Sequence, residues 1–278
     1  MSMMSLPLGW KSAKLCDIAK MVMGQSPPSD TYNENRIGLP FLQGKADFTE
    51  SFPRPTKWCT MPLKIAPKGS VLISVRAPVG DVNLADQEYI IGRGLSSISI
   101  DNGDNGFLFY SLIHNKNRIN AQGSGTTFQS INKSTLESFS ILLPPLPEQR
   151  AIARALRAVQ RAREARLREV ALERERKAAL MEHLFTKGSR GEATKMTDIG
   201  EMPESWNNVN LGDVCTFTTG KLNSEMAVDN GRYPFFTCSR ETFKIDSYSF
   251  DQEAILLAGN NAQGIYSVKY YKPKLRPF

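Results

Sequence analysis

The sequence predicts an α+β protein: a loop-rich mixed α/β domain, one long helix able to form a coiled coil, then the start of a second, similar domain. Three observations predict this. Trp10, Leu15, Asp17, Ile18 and Gly24 recur at one constant offset as Trp206, Leu211, Asp213, Val214 and Gly220. Pro40-Phe41 is echoed by Pro234-Phe235, and Val71-Leu72-Ile73 with Gly80 by Ile255-Leu256-Leu257 with Gly264. A period this long is domain duplication, not a solenoid repeat. Between the copies, Glu148 to about Phe185 contains no Gly or Pro and is dominated by Ala, Leu, Arg and Glu, the composition of a helix. In the first copy, short apolar runs alternate with dense Gly, Pro and Asp, which suits an irregular sheet domain better than a regular βαβ array.

Val71–Val75, Tyr89–Ile91 and Leu95–Ile100 are β-rich runs bounded by turn formers. Phe107–Ile113 is apolar enough for a short buried helix, capped by Asp104 or Asn105. Ser134 with Glu137 has the spacing of a capping box for another helical turn. Phe139–Leu143 reads as the last strand. Pro144, Pro145 and Pro147 then form a stiff elbow, since proline suits the first helical position, where an N–H has no partner.

The helix that follows is a rod of about 55 Å. Its apolar stripe runs through Ile152, Leu156, Val159, Leu167, Val170, Ala178, Met181 and Phe185, with Arg163 and Arg174 interrupting it. The steps approach an eleven-residue repeat, which favours a nearly straight seam. Lys187-Gly188 supplies a stop. Such a rod cannot bury its stripe alone. It needs a helix from another copy or another protein; packing on its own domain is the competing reading. The predicted boundaries are 1–146 for the first domain, 147–187 for the helix, 188–203 for a polar linker and 204–278 for a partial second domain. The second copy stops soon after Gly264, whereas the first runs well past Gly80, so the expectation is a truncated second domain or a fragment.

A net charge of +7 suits a polyanion such as nucleic acid, although much of the excess sits on the helix from Arg150 to Lys177. The sequence has no apolar run long enough to span a membrane and no secretory signal at its start. Cys16, Cys59, Cys215 and Cys238 are scattered without a CxxC pair, as expected of reduced, buried or half-buried thiols in a cytoplasmic protein. His114 and His183 are the only histidines, each read as structural or exposed. The sequence contains no HExxH, no Cys/His zinc spacing, no GxSxG, no GxxxxGK phosphate loop and no amino-methyltransferase motif. No catalytic residue, metal or cofactor is therefore expected.

Binding equipment remains. Gln43-Gly44-Lys45 follows a strand-like run; Gln suits adenine edges, and Lys suits phosphate or guanine. Arg76 leaves the Val71–Val75 strand ahead of a tight turn at Ala77-Pro78-Val79-Gly80, and Arg93 sits between Gly92 and Gly94. Ser124, Thr126 and Thr127, with Gly123 and Gly125, offer hydroxyls and open N–H groups to phosphate. Each signal alone is weak. Together they place polar donors on the loops of one scaffold, an arrangement suited to recognition.

The stretch Gly123–Ala153, GSGTTFQSINKSTLESFSILLPPLPEQRAIA, resembles the signature of type I restriction–modification specificity subunits. Pro144-Pro145-Leu146-Pro147-Glu148-Gln149 with Ile152 matches that family's elbow. Looser matches are Gly9-Trp10 to Asp17-Ile18, Pro40-Phe41 to Gly44-Lys45, Val71 to Gly80 with Arg76, and Met202 to Val214; together they cover essentially the whole chain. The resemblance implies target recognition domains, each reading half of a split site in double-stranded DNA, with paired helices fixing the gap between halves. It also implies partners: methyltransferase (modification) subunits and a restriction/translocase subunit, which supply methylation and cleavage in defence against foreign DNA. Against the family pattern, the second domain lacks a counterpart of residues 95 to 186. A second copy pairing antiparallel through the helix is a further expectation. The alternative is a subunit that reads no DNA and acts as an assembly decoy, binding the methyltransferase through its helix.

Overall fold

The computed structural model describes residues 6–123, 130–239, 241–258 and 268–272. They belong to two compact units, Met1–Met181 and Glu182–Phe278.

The first unit opens with β1 (Lys11–Lys14), the one-turn helix α1 (Leu15–Ile18) and β2 (Ala19–Met23). Then come β3 (Tyr32–Asn33), β4 (Leu39–Leu42), β5 (Lys57–Cys59), β6 (Ile65–Ala66) and β7 (Val71–Ser74). β8 (Val82–Leu84), β9 (Tyr89–Ile91) and β10 (Leu95–Ile100) complete the main strands. Three helices follow, α2 (Asn105–His114), α3 (Lys116–Ala121) and α4 (Lys133–Ser138), and then β11 (Ser140–Leu143). Among the described residues one sheet has the order β2-β10-β7-β8, every neighbouring pair antiparallel. The other has the order β3-β5-β4-β9-β6, in which β4 and β9 are parallel. β1 pairs antiparallel with β11, so the chain returns beside its own start just before the elbow.

Strand alternation explains the core. Val71 and Ile73 of β7 face α2, α3 and α4, joining Phe107, Leu108 and Leu112. Leu72 faces the other way, with Leu42, Tyr89, Ile91 and Leu95. A strand buried on both faces reads as a continuous apolar run, which is how the sequence presents it. Phe41, Cys59 and Ile90 form a third cluster, with Tyr32 stacked on Phe41 at 4.6 Å between centroids.

Asp104 is the N-cap of α2, its carboxylate accepting from Phe107 N at 2.9 Å. The expected Ser134–Glu137 capping box is not what opens α4. Asn132 caps it instead, accepting from Thr135 N at 2.8 Å, and Ser134 donates to the same Asn132 oxygen. The cysteine expectation also needs correction. Cys59 is buried, but Cys16, Cys215 and Cys238 are exposed. In α1 the inward position belongs to Leu15, which leaves its neighbour Cys16 facing out.

α5 (Leu146–Lys187) starts one residue before the expected 147–187 span and ends with it. Pro147 lies in its first turn, and Gly188, at φ +67°, closes it by donating to Leu184 O at 3.1 Å. Only Gln149 and Ala153 of α5 are buried.

In the second unit, the segment read as a linker contains a hairpin of β12 (Thr194–Thr197) and β13 (Gly200–Pro203). α6 (Leu211–Val214) follows, then β14 (Tyr233–Phe236) paired with β15 (Thr242–Ile245), and β16 (Ala254–Leu257) paired with β17 (Val268–Tyr271). The duplication is visible in backbone detail. Trp10 N donates to Pro7 O at 3.0 Å, and Trp206 N to Pro203 O at 3.0 Å. α1 and α6 have the same length, each closed by the next residue donating back to the first, Ala19 to Leu15 and Cys215 to Leu211. β14 holds Pro234-Phe235 as β4 holds Pro40-Phe41. Gly264 lies outside the described residues.

Candidate nucleic-acid interface

Three turns of the first unit carry the predicted readers, and backbone hydrogen bonds stitch them together. The turn after β4 carries Gln43 and Lys45. The β7–β8 turn carries Arg76, and the β9–β10 turn carries Arg93. All four of these side chains are exposed. Gly92 N donates to Leu42 O at 2.8 Å, and Val75 N to Gly94 O at 2.9 Å. Of the glycines beside Arg93, Gly94 is sterically required and Gly92 is tightly packed. A Cβ on Gly94 would sit 2.7 Å from Gln43 O, and one on Gly92 would sit 3.0 Å from Gln43 Cα. Ser26 Oγ accepts from Arg93 N at 3.3 Å and ties the Arg93 turn to the loop after β2.

Buried Ser74 organises the Arg76 turn. Its hydroxyl donates to Pro78 O at 2.8 Å and accepts from Asp81 N at 2.9 Å, and its carbonyl accepts from Gly80 N at 2.9 Å. The Ala77–Pro78 peptide is cis. Arg76 bridges to Ser130, and Ile131 N donates to Val75 O at 2.9 Å. The segment that follows the Gly/Ser/Thr loop therefore meets the same turn. Ser124, Thr126 and Thr127 themselves lie outside the described residues.

Between the turn after β4 and the β7–β8 turn lies a cleft of about 770 Å³, lined in part by Gln43, Lys45, Lys57, Ala77 and Pro78. Its polar lining is mixed. Burial raises the Asp47 carboxyl above its ordinary value, partly offset by a hydrogen bond from Thr56. Asp81 pairs with Lys116 at 2.6 Å and with Lys45 at 2.7 Å. Burial works against the charged form of Asp81, but the two lysines outweigh it and hold the carboxyl below its usual value. Neither Asp81 nor Lys116 is singled out by the sequence. Lys116 is brought in by the packing of α3, and its residue type alone gives no signal.

The elbow motif gains a structural reason. Trp10 Nε1 donates to Glu148 Oε2 at 3.0 Å, so two family motifs far apart in sequence touch. Buried Gln149 donates to Pro144 O at 2.8 Å and accepts from Asp104 N at 3.0 Å, which locks the helix start to the α2 cap. Further along α5, Gln160 donates to Glu50 at 2.9 Å, Arg163 pairs with Glu50, and Ser51 donates to Glu164 at 3.0 Å. Arg163 and Gln160 hold the Glu50 carboxyl below its ordinary value. Arg163, read as a break in the apolar stripe, is thus part of the anchor. Ile152 leaves the proposed partner seam, since it packs on the first unit's core. Leu156, Val159, Leu167, Val170 and Met181 are exposed.

Among the described residues no group of three or more His, Cys, Asp or Glu side chains could hold a metal ion, and no helix is long and apolar enough to cross a membrane. The site offers cationic and amide donors on a rigid frame, which suits binding.

A family model for the type I restriction modification DNA specificity domain matches residues 7–173. The chain belongs to this family. One relative in Methanocaldococcus jannaschii is provisionally named the type I restriction enzyme MjaX specificity subunit. It is 47% identical over 158 residues, 55% of this chain and 37% of that protein. The crystal structure of the HsdS subunit from Thermoanaerobacter tengcongensis is 41% identical with a TM-score of 0.52, covering 60% of this chain and 41% of that one. The type I restriction–modification S subunit from M. genitalium matches with a TM-score of 0.64 over 98% of this chain and 71% of its own, at 17% identity; it shares the fold. This specificity-domain chain thus spans well under two thirds of the length of the curated relative.

Proposed function

We propose that this chain is a non-catalytic DNA-recognition subunit of a type I restriction–modification complex. In this reading it binds part of a split site in double-stranded DNA and directs modification and restriction subunits to it. The observation that carries the reading is the convergence of Gln43, Lys45, Arg76 and Arg93 on three stitched turns, in a chain of the DNA specificity domain family. Residues 1–146 act as the recognition domain, 147–187 as the spacer helix, and 204–278 as part of a second recognition domain after a short 188–203 connection. Ser124, Thr126 and Thr127 extend the phosphate-contacting surface. The exposed face of α5, with Leu156, Val159, Leu167, Val170 and Met181, receives a helix from the modification subunit or a second copy.

Side chains at turn tips suit both classes of contact that recognition needs. Phosphate contacts fix position and give a salt-dependent affinity, and contacts to base edges give specificity. The test uses the purified chain with its modification subunit. Sequencing of methylated sites identifies the target, and duplex binding is then measured for the wild type and Arg76→Ala. Arg76→Ala costs about 1–3 kcal/mol and relaxes specificity at one position if Arg76 reads a base, or weakens all duplexes alike if it holds phosphate. Unaltered affinity, selectivity and salt slope remove Arg76 from the interface. Assembly with the modification subunit but no binding to any duplex favours the decoy role instead.

A further inference from the structure

We infer that Lys45 and Lys116 form a phosphate-gripping pair for duplex DNA, and that Asp81 is a resident anion occupying their grip until a backbone phosphate replaces it. The inference rests on the DNA-reading role proposed above and deepens it. It adds α3 to the interface and makes Asp81 a positioning residue.

The geometry is that of one anion between two cations. Lys116 Nζ lies 2.6 Å from one Asp81 oxygen, and Lys45 Nζ lies 2.7 Å from the other. The Asp81 side chain is 18% exposed, while those of Lys45 and Lys116 are 43% and 45% exposed. Both lysine side chains are thus part-exposed beside a more deeply set carboxylate. Two cations and one anion leave this cluster a net positive charge, and its Lys45 also lines the cleft that presents Gln43. A phosphodiester resembles the carboxylate in the feature that matters, two oxygens sharing one negative charge. It can meet the same two ammonium groups from the solvent side.

The parts differ in how freely they can rearrange. Asp81 cannot withdraw easily, because its N–H donates to Ser74 Oγ at 2.9 Å and its carbonyl accepts from Ser74 N at 2.8 Å. Lysine, by contrast, is a compact charge on a flexible stem that turns readily to a new partner. The two grips are also unequal. Lys116 hydrogen-bonds its Asp81 oxygen. The oxygen facing Lys45 is buried without a well-directed hydrogen bond, so that contact is an ion pair by proximity alone. Lys45 is thus the arm that releases first. A phosphate held here would lie beside the turn carrying Arg76, where a backbone contact sets the register for base contacts nearby. While Asp81 fills the grip, it damps attraction to phosphates in general.

The test is fluorescence anisotropy with the full chain and a mixed-sequence duplex, titrated across KCl concentration. Lys116→Gln and Lys45→Gln should each flatten the slope of log affinity against log salt by about 0.9. Lys116→Arg should restore the wild-type slope. Lys20→Gln should leave it unchanged, since Lys20 pairs with Ser99 at the end of β10 remote from the Arg93 turn. Asp81→Asn should bind the mixed duplex several-fold more tightly at low salt. An unchanged slope in Lys116→Gln, or weaker binding by a folded Asp81→Asn, overturns the inference while DNA reading stands. Should Asp81→Asn fail to fold by circular dichroism, the exposed lysine variants decide. A wild-type chain that binds no duplex at low salt overturns both.

Discussion

α1 and α6 are the same piece of backbone in two different surroundings. Each follows a tryptophan whose N–H closes a turn onto a proline carbonyl, and each is a single turn closed by the next residue. Yet Leu15 is 0% exposed and Leu211 is 63% exposed. The difference comes from what packs on them. Leu15 N donates to Phe139 O at 2.9 Å, and its side chain lies in the cluster that includes Leu136, Phe139 and Ile141. Turn and helix are specified locally, by a few residues and their backbone bonds. Burial is specified by segments more than a hundred residues away.

Leucine truncation tests that contrast most strongly. Leu15→Ala leaves a cavity in a filled core and should cost about 2–5 kcal/mol. Leu211→Ala should stay within about 0.5 kcal/mol, as surface substitutions do. Thermal and urea unfolding of both variants checks this. Equal losses would show that Leu211 is buried in solution and would end the comparison.

The repeated glycines give a finer contrast. A Cβ on Gly24 would meet Gly92 O at 2.1 Å and Ile91 O at 2.7 Å. Backbone atoms cannot yield as a side-chain tip can, so Gly24→Ala should cost about 1–3 kcal/mol. It should also weaken DNA binding, because Gly92 borders the Arg93 turn. A Cβ on Gly220 would meet nothing within 4 Å. Gly220→Ala should be neutral or stabilising by up to about 1 kcal/mol, through lower entropy of the unfolded chain. Loss of stability in Gly220→Ala matching that in Gly24→Ala would mean the second copy packs as the first does.

The limits of sequence reading follow the same division between local and distant. The apolar runs Tyr89–Ile91 and Leu95–Ile100 and the long helix are legible because period and composition are local signals. The α4 cap departs from the Ser134 expectation because Asn132, two residues earlier, accepts from Thr135 N and starts the helix there, which leaves Ser134 inside the first turn. Gln43, Lys45, Arg76 and Arg93 can each be nominated from turn chemistry, but not their convergence, which depends on the parallel β4–β9 pairing and on Gly92 and Gly94 lying against Gln43. Ile152 shares its helical face with Leu156 and Val159, and only the docked core distinguishes it from them. Lys116 and Asp81 carry no signal, since an ion pair across 35 residues has no sequence period.

Acid should separate the two copies by the smallest margin. The first has Asp81 directly after Gly80, whereas the second has Ile265 after Gly264. Burial disfavours the Asp81 anion, but Lys116 and Lys45 more than compensate and depress its pKa in the folded protein. A depressed carboxylate stabilises the fold fully above its unfolded value of about 3.9. That contribution fades as pH falls through the lower folded value. With both lysines facing solvent, its size should be no more than about 1 kcal/mol. Asp47 acts in the opposite sense, because burial raises its pKa and protonation relieves that strain. Amide exchange across residues 74–84, corrected for intrinsic rate, should therefore lose protection in the wild type only as pH falls below about 3.9. Asp81→Asn removes only the first effect, so its protection should hold or rise over the same range. If the wild type and Asp81→Asn respond to acid alike, the two lysines do not secure this turn, and its order rests on the Ser74 hydrogen bonds alone.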